Sequence, residues 1–183
     1  MERYRFLLSG SGGQGIITMA ILLAEAAVLH EGLEAVQSQS YGPEARGGAT
    51  RSDVIISESE IFFPKVNQPN ALTILTNEAA GKYAPLVRPG GMCLYDSDLV
   101  QLPQSVDVQR AGLPMFKTVK EAFKGKTQAF NICVLGALAS LTGVVRLESL
   151  EKVLHTRFAA VHHKNNSKAL RLGAELAAPL VIP

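Results

Sequence analysis

Phe6-Leu7-Leu8-Ser9-Gly10-Ser11-Gly12-Gly13-Gln14-Gly15-Ile16-Ile17 is an apolar run that dissolves into glycines and then resumes. Residues Arg3–Ser9 read as a first strand. Gln14 to Glu31, rich in Ile, Leu, Met and Ala and followed by Gly32, reads as a helix with a glycine stop. The glycines between them fit G-x-G-x-x-G in the context that gives the motif meaning, directly after a strand and opening a helix. Gly10 serves the tight turn, Gly12 lets backbone approach a ligand, and Gly15 lets the helix pack closely on the sheet. The first amides of such a helix face outward, ready for an anion such as a diphosphate. Gly10, Ser11, Gly12, Gly13, Gln14 and Gly15 are therefore a phosphate loop or a close-packing device.

Further along, Ala35–Ser40, Ser52–Ser57, Ala71–Thr76, Met92–Tyr95 and Val106–Arg110 read as strands. Glu78–Leu86 reads as a helix that stops before Arg88-Pro89-Gly90-Gly91. The last third is helical: Met115–Phe123, Ala129–Leu141, Leu147–Ala160 and Lys164–Ala177. Strands such as Val54-Ile55-Ile56 and Leu72-Thr73-Ile74-Leu75, alternating with helices, predict a mainly parallel sheet covered on both faces. The expected fold is thus α/β, a Rossmann-like three-layer arrangement with a helical C-terminal third, in a single domain spanning 1–183. Two helices carry more apolar surface than one sheet needs. Between Ile16 and Leu29 the only charged residue is Glu25, and between Ala129 and Leu141 there is none. Either the late helices bury that surface or another subunit finishes it. The second reading is taken here, and it predicts that the isolated chain self-associates.

A dinucleotide site needs an acid at the end of the second strand for the adenosine ribose. Ala35-Val36-Gln37-Ser38-Gln39-Ser40 has none, Glu34 stands at the wrong end, and no arginine is placed for a phosphorylated ribose. The loop that follows, Tyr41-Gly42-Pro43-Glu44-Ala45-Arg46-Gly47-Gly48-Ala49-Thr50-Arg51, leaves the carboxyl edge of a parallel sheet, where ligands and partners meet such folds. Gly42-Pro43 is a rigid turn, Gly47-Gly48 admits unusual backbone angles, and Arg46 and Arg51 offer planar cationic forks for a carboxylate or phosphate. Tyr41, Gly42, Pro43, Glu44, Arg46, Gly47, Gly48 and Arg51 are the candidate interface or anion-binding residues.

Gly10–Gly15, then Gln37-Ser38-Gln39-Ser40-Tyr41-Gly42-Pro43-Glu44-Ala45-Arg46-Gly47-Gly48 and Ser52–Ser57, resemble the gamma subunit of 2-oxoacid:ferredoxin oxidoreductases. The run Tyr41–Gly48 is similar to that of the 2-oxoglutarate branch. The resemblance implies a complex that converts a 2-oxo acid to its acyl-CoA and carbon dioxide while reducing ferredoxin, the electron acceptor. It implies thiamine diphosphate with Mg2+ on alpha and beta partner subunits, coenzyme A as co-substrate, and iron–sulfur clusters on beta or on a small ferredoxin-like delta subunit. This chain would then be one subunit of an oxidoreductase, not catalytic alone and binding no metal itself. The alternative is a stand-alone Rossmann-like nucleotide-binding or dimerisation module.

Composition narrows the classes. The chain has 183 residues, 47% apolar and 19% charged, which is no disordered or coiled-coil composition. A formal net charge of +2 and the absence of tryptophan give little drive toward nucleic acid. No apolar stretch reaches the roughly 20 residues of a membrane span, and no targeting segment is legible, so a cytoplasmic protein is expected. Cys93 and Cys133, isolated in apolar runs, read as buried free thiols in a reducing compartment. His30 reads as a helix-end cation, His155 as a surface partner of Glu151, and His162-His163-Lys164 as a solvated turn between the last two helices. Ser9 and Ser11 have no histidine nearby to activate them, and the lysine-rich stretch Lys117–Lys126 reads as a solvated helix face.

Overall fold

The computed structural model describes residues 3–40 and 49–181. It places the strands β1 (Tyr4–Gly10), β2 (Glu34–Ser40), β3 (Thr50–Ser57), β4 (Ala71–Ile74), β5 (Met92–Asp96) and β6 (Gln109–Leu113) in one sheet of order β2-β3-β1-β4-β5-β6. The helices are α1 (Ile16–His30), α2 (Asn77–Tyr83), α3 (Met115–Ala122), α4 (Phe130–Thr142), α5 (Leu147–Arg157) and α6 (Ala160–Ala177). β1, β4, β5 and β6 are mutually parallel, as expected for strands linked through helices. β3 departs from that pattern, lying antiparallel to both β1 and β2. The segment from Ser40 to Thr50 is shorter than a parallel crossover requires, so β3 returns beside β2 as a hairpin.

Alternation along the strands divides the interior in two. Phe6, Leu8, Val54, Ile56, Met92 and Leu94 face a large core shared with α1, α3, α4, α5 and α6. Leu7, Ile55, Leu72, Ile74 and Cys93 face a smaller one, closed by Ala79, Ala80 and Tyr83 of α2 and by Val66, Val100 and Leu102 from loops. The last strand sits three residues later than the hydrophobic pattern suggested. Val106 and Val108 pack into the smaller core as part of its covering loop, and Ala111 and Leu113 supply the strand's buried side. Arg110 ties that loop down by donating to the carbonyls of Leu102 and Val106, at 3.1 Å each. The final helix begins earlier than expected, so His162 and His163 lie in its first turn and not in a solvated turn. There His163 Nε2 meets the Phe158 carbonyl oxygen at 2.7 Å, and its ring stacks on His155 at 4.5 Å.

The apolar surplus on α1 and α4 is absorbed within the chain, which corrects the expectation that a second subunit covers it. In α4, Phe130 and every residue from Ile132 to Ala139 are buried. The reason is local: α6 lies directly on α4 through two glycines. A Cβ on Gly136 would stand 2.0 Å from the Leu170 carbonyl oxygen, and one on Gly173 would stand 1.8 Å from that of Cys133. Over α1 sits α5, pinned at its start by Arg146, whose Nε is 2.9 Å from the Glu31 carboxylate, and at its end by Arg157 on Glu25. Only Val28 and Leu29, at the last turn of α1, remain exposed among that helix's large apolar residues. Among the described residues, no helix is long and apolar enough to cross a membrane.

Gly173→Ala is expected to cost about 3 kcal/mol or more, because the clash is with backbone and neither helix can yield without opening the core. Gly81→Ala, in the interior of α2 with nothing within 4 Å of the new methyl, should instead gain roughly 0.5–1 kcal/mol. Urea unfolding of both variants beside the parent checks the pair.

Candidate functional site

Because β1, β2, β4, β5 and β6 run the same way, their carboxyl ends share one edge of the sheet. The register sets Gly10 opposite Thr50 and Ser40 opposite Arg51, so the glycine loop and both ends of the β2–β3 connection stand at this edge. Tyr41, Gly42, Pro43, Glu44, Arg46, Gly47 and Gly48 lie outside the described residues. What the structure gives of that constellation is its flanks.

The glycine loop divides into a crowded half and an open half. A Cβ on Gly10 would lie 2.5 Å from Gln14 Oε1 and 3.2 Å from the Leu75 Cβ. Gly15 caps α1 in the left-handed region, at φ 74°, and a Cβ there would lie 2.4 Å from Asn131 Nδ2. Its close neighbour is thus the start of α4, where the sequence suggested the sheet. Gln14 braces the loop from inside: the Ser11 amide donates to its Oε1 at 2.7 Å, and its Nε2 donates to the Leu75 carbonyl at 3.3 Å. One of the amides that an anion would seek is therefore already paired. Gly12 and Gly13 have nothing within 4 Å of a would-be Cβ and face open space.

Topology weighs against a dinucleotide here more heavily than the missing acid. In a dinucleotide site the strand bearing the ribose ligand lies beside β1. In this chain β3 intervenes, so the end of β2 is displaced by one further strand spacing, to about 10 Å from β1. Arg51 is also committed at home. Its Nε and Nη2 hold the two oxygens of Asp53 at 2.8 Å each, Nη2 also donates to the Val66 carbonyl, and the guanidinium lies 5.5 Å from the centre of the Tyr83 ring. The hydrogen bond to Asp53 holds the guanidinium's pKa above its ordinary value against the opposing effect of burial. This fork fastens β3 to the loop that covers the smaller core, and it leaves little to offer a ligand.

Sequence reasoning missed Asp96, the buried last residue of β5 at this same edge. Its carboxylate accepts from the amides of Phe116 at 2.6 Å, Asp98 at 3.0 Å and Leu99 at 3.1 Å, and so closes the turn after β5 and fixes the start of α3. Burial pushes its pKa up, and those three amides pull it partway back. Asp96-Ser97-Asp98 was the available signal, an Asx-type turn directly after a strand. Cys93 and Cys133 are free and buried, in the smaller and the larger core respectively, and burial raises both thiols to about 12. No group of three or more His, Cys, Asp or Glu gathers as a metal site among the described residues.

The family model for pyruvate ferredoxin/flavodoxin oxidoreductase matches residues 5–176. The chain is 43% identical to the 2-oxoglutarate synthase subunit KorC of Methanocaldococcus jannaschii, over 97% of this chain and 96% of that protein. It is 32% identical to the ketoisovalerate oxidoreductase subunit VorA of Methanothermobacter marburgensis, over 94% of this chain but only 36% of that longer protein. Among solved structures, the gamma subunit of a keto/oxoacid ferredoxin oxidoreductase from Geobacter sulfurreducens superimposes with a TM-score of 0.86 at 43% identity. That alignment covers 96% of this chain and 99% of the other.

Two outcomes follow from the loop and the thiols. Gly15→Ala should destabilise the chain by about 2 kcal/mol or more, combining a left-handed backbone with the Asn131 clash, whereas Gly12→Ala should stay within about 0.5 kcal/mol of the parent. Thiol titration at pH 8 should find no reactive cysteine in the native chain and both after denaturation.

Proposed function

The chain belongs to the pyruvate ferredoxin/flavodoxin oxidoreductase family, and from that premise we propose that it is the gamma subunit of a 2-oxoglutarate:ferredoxin oxidoreductase. The complex would oxidatively decarboxylate 2-oxoglutarate, pass the acyl group to coenzyme A, release carbon dioxide and reduce ferredoxin. The observation that carries this reading is the end-to-end likeness to a 2-oxoglutarate synthase subunit, stronger than the likeness to a ketoisovalerate subunit. The run Tyr41–Gly48, similar to that of the 2-oxoglutarate branch, points the same way.

The division of labour we propose is the one that the resemblance implies. Two buried thiols in separate cores offer an iron–sulfur cluster no ligand set, and among the described residues no group of three or more His, Cys, Asp or Glu gathers as a metal site. As the resemblance implies, thiamine diphosphate, Mg2+ and the clusters would belong to the alpha and beta partners or a delta subunit, and coenzyme A would act at a site that they complete. The gamma chain presents its carboxyl edge to them. Gly12 and Gly13 leave open space beside their backbone, and Ser40 and Thr50, the described ends of the β2–β3 connection, stand at the same edge. With Arg51 held by Asp53, the cationic contact to a partner carboxylate or a coenzyme A phosphate falls to Arg46. The stand-alone nucleotide module has no observation in its favour, since β3 separates β2 from the glycine loop and Gln14 occupies one of the loop's amides.

A tagged chain recovered anaerobically from its own cells should bring larger subunits with it. The eluate should reduce a viologen dye only when both 2-oxoglutarate and coenzyme A are present. Arg46→Ala should leave the thermal unfolding of the isolated chain unchanged and weaken recovery of the partners or raise the coenzyme A requirement. Recovery of the chain alone, or a preference for another 2-oxo acid, would contradict the assignment.

A further inference from the structure

β2 is the last strand on its side of the sheet and, among the described residues, has a neighbouring strand on one flank only, β3. It pairs with β3 in unbroken register, from Glu34 on Ser57 to Ser40 on Arg51, so alternate N–H and C=O groups point outward along its whole length. Edge strands are ordinarily blunted by lysine, proline, a bulge or short length. Glu34-Ala35-Val36-Gln37-Ser38-Gln39-Ser40 has none of these, and its one charge stands at its start.

Both layers that flank β2 are unfinished beside it. α1 packs on β2 and β3, and α5 seals one flank of α1, where Arg157 holds Glu25. On the flank turned away from α5, Ile17, Ile21 and Val28 fall on one line at helical spacing and join neither core. Val28 is 47% exposed. On the opposite face of the sheet, the Pro64 carbonyl accepts from Ser38 Oγ at 3.3 Å, which sets the exposed Phe62 and Phe63 within two residues of a contact to the same strand.

We propose that a second copy of this chain docks on this rim, with β2 antiparallel to β2 about a two-fold axis that passes through Gln37 perpendicular to the sheet. One sheet then runs through both copies. Spacing, area and charge select a second copy as the occupant. With α1 over the gap between β2 and β3, its axis stands about 2.4 Å inside β2, and paired strands lie about 4.8 Å apart. The two α1 helices therefore come to about 10 Å from each other, the distance at which helices pack. α1 and β2 are of nearly equal length, about 23 Å, so the axis passes near the middle of α1 and Ile17 of one copy meets Val28 of the other. Through its loop, sheet and helix layers the rim is about 30 Å deep, which gives roughly 700 Å² per copy, against about 800 Å² for a standard interface. The pairing sets Glu34 across from Ser40, so no like charges face one another on the strands.

The test is sedimentation equilibrium of the full chain without partners, whose monomer mass is 19.6 kDa. The parent should dimerise with a Kd of about 10 µM or tighter. Ile17→Glu and Val28→Lys place charges that suit the first and last turns of α1, so each variant should keep the parent's circular dichroism while its own dimer weakens about tenfold or more. Mixed in equal amounts, the two variants should pair again, because the introduced charges are opposite and face each other across the axis. A parent that stays monomeric at about 100 µM overturns the proposal and leaves the edge to a strand of another protein. A dimer that both folded variants leave intact, or a mixture of the two that stays monomeric, overturns it equally.

Discussion

Backbone touching backbone at Gly136 and Gly173 is the constraint on which the rest of the molecule turns. Only because neither residue carries a Cβ can α6 lie on α4 closely enough to seal it, and only because α4 is sealed can its sequence be apolar on every side. The middle of α4 is consequently buried on every side. The starts of α4 and α6 are brought to one cavity, and the start of α4 is pressed against the glycine loop through Asn131 and Gly15. A methyl group at either glycine would therefore disturb the core and the edge together.

The carboxyl edge shows how one sequence motif can be turned to another use. Glycines that elsewhere let a diphosphate approach backbone here make room for Gln14 and Asn131, two side chains of the same chain. The hairpin return of β3 moves β2 away from the loop, and Arg51 is drawn into an ion pair that holds a covering loop in place. In the glycine loop, the backbone at Gly12 and Gly13 remains open. Such a surface suits contact with another polypeptide better than capture of a nucleotide, in keeping with relatives that are named as subunits.

Much of the architecture was legible because the governing signals are local. The strand–glycine–helix opening, the Val54-Ile55-Ile56 run and the apolar periods of the late helices each fix an element from its own residues. The direction of β3 was not read: the short connection before it carried the signal, but the parallel pattern was extended over it. Pairings between distant residues were not legible. Nothing near Gly136 in sequence announces that Leu170 will press on it, and the burial of α1 and α4 was read as an interface for that reason. Arg51 is different in part: Asp53, two residues on and on the same face of β3, was a local signal left unread, and only the Val66 carbonyl comes from a distant segment. At the candidate site, the glycines identified the edge, but which of them are crowded and which are open is a property of packing.

On the proposed reading, the carboxyl edge is where this subunit meets its partners. Hydrogen–deuterium exchange of the chain alone and within its assembled complex measures that most directly. Assembly should slow exchange in peptides covering Gly10–Gly15 and Tyr41–Arg51. Peptides from the buried middle of α4, already sealed by α6, should stay unchanged. Protection confined to the opposite edge of the sheet, with the glycine loop exchanging as fast in the complex as alone, would contradict it.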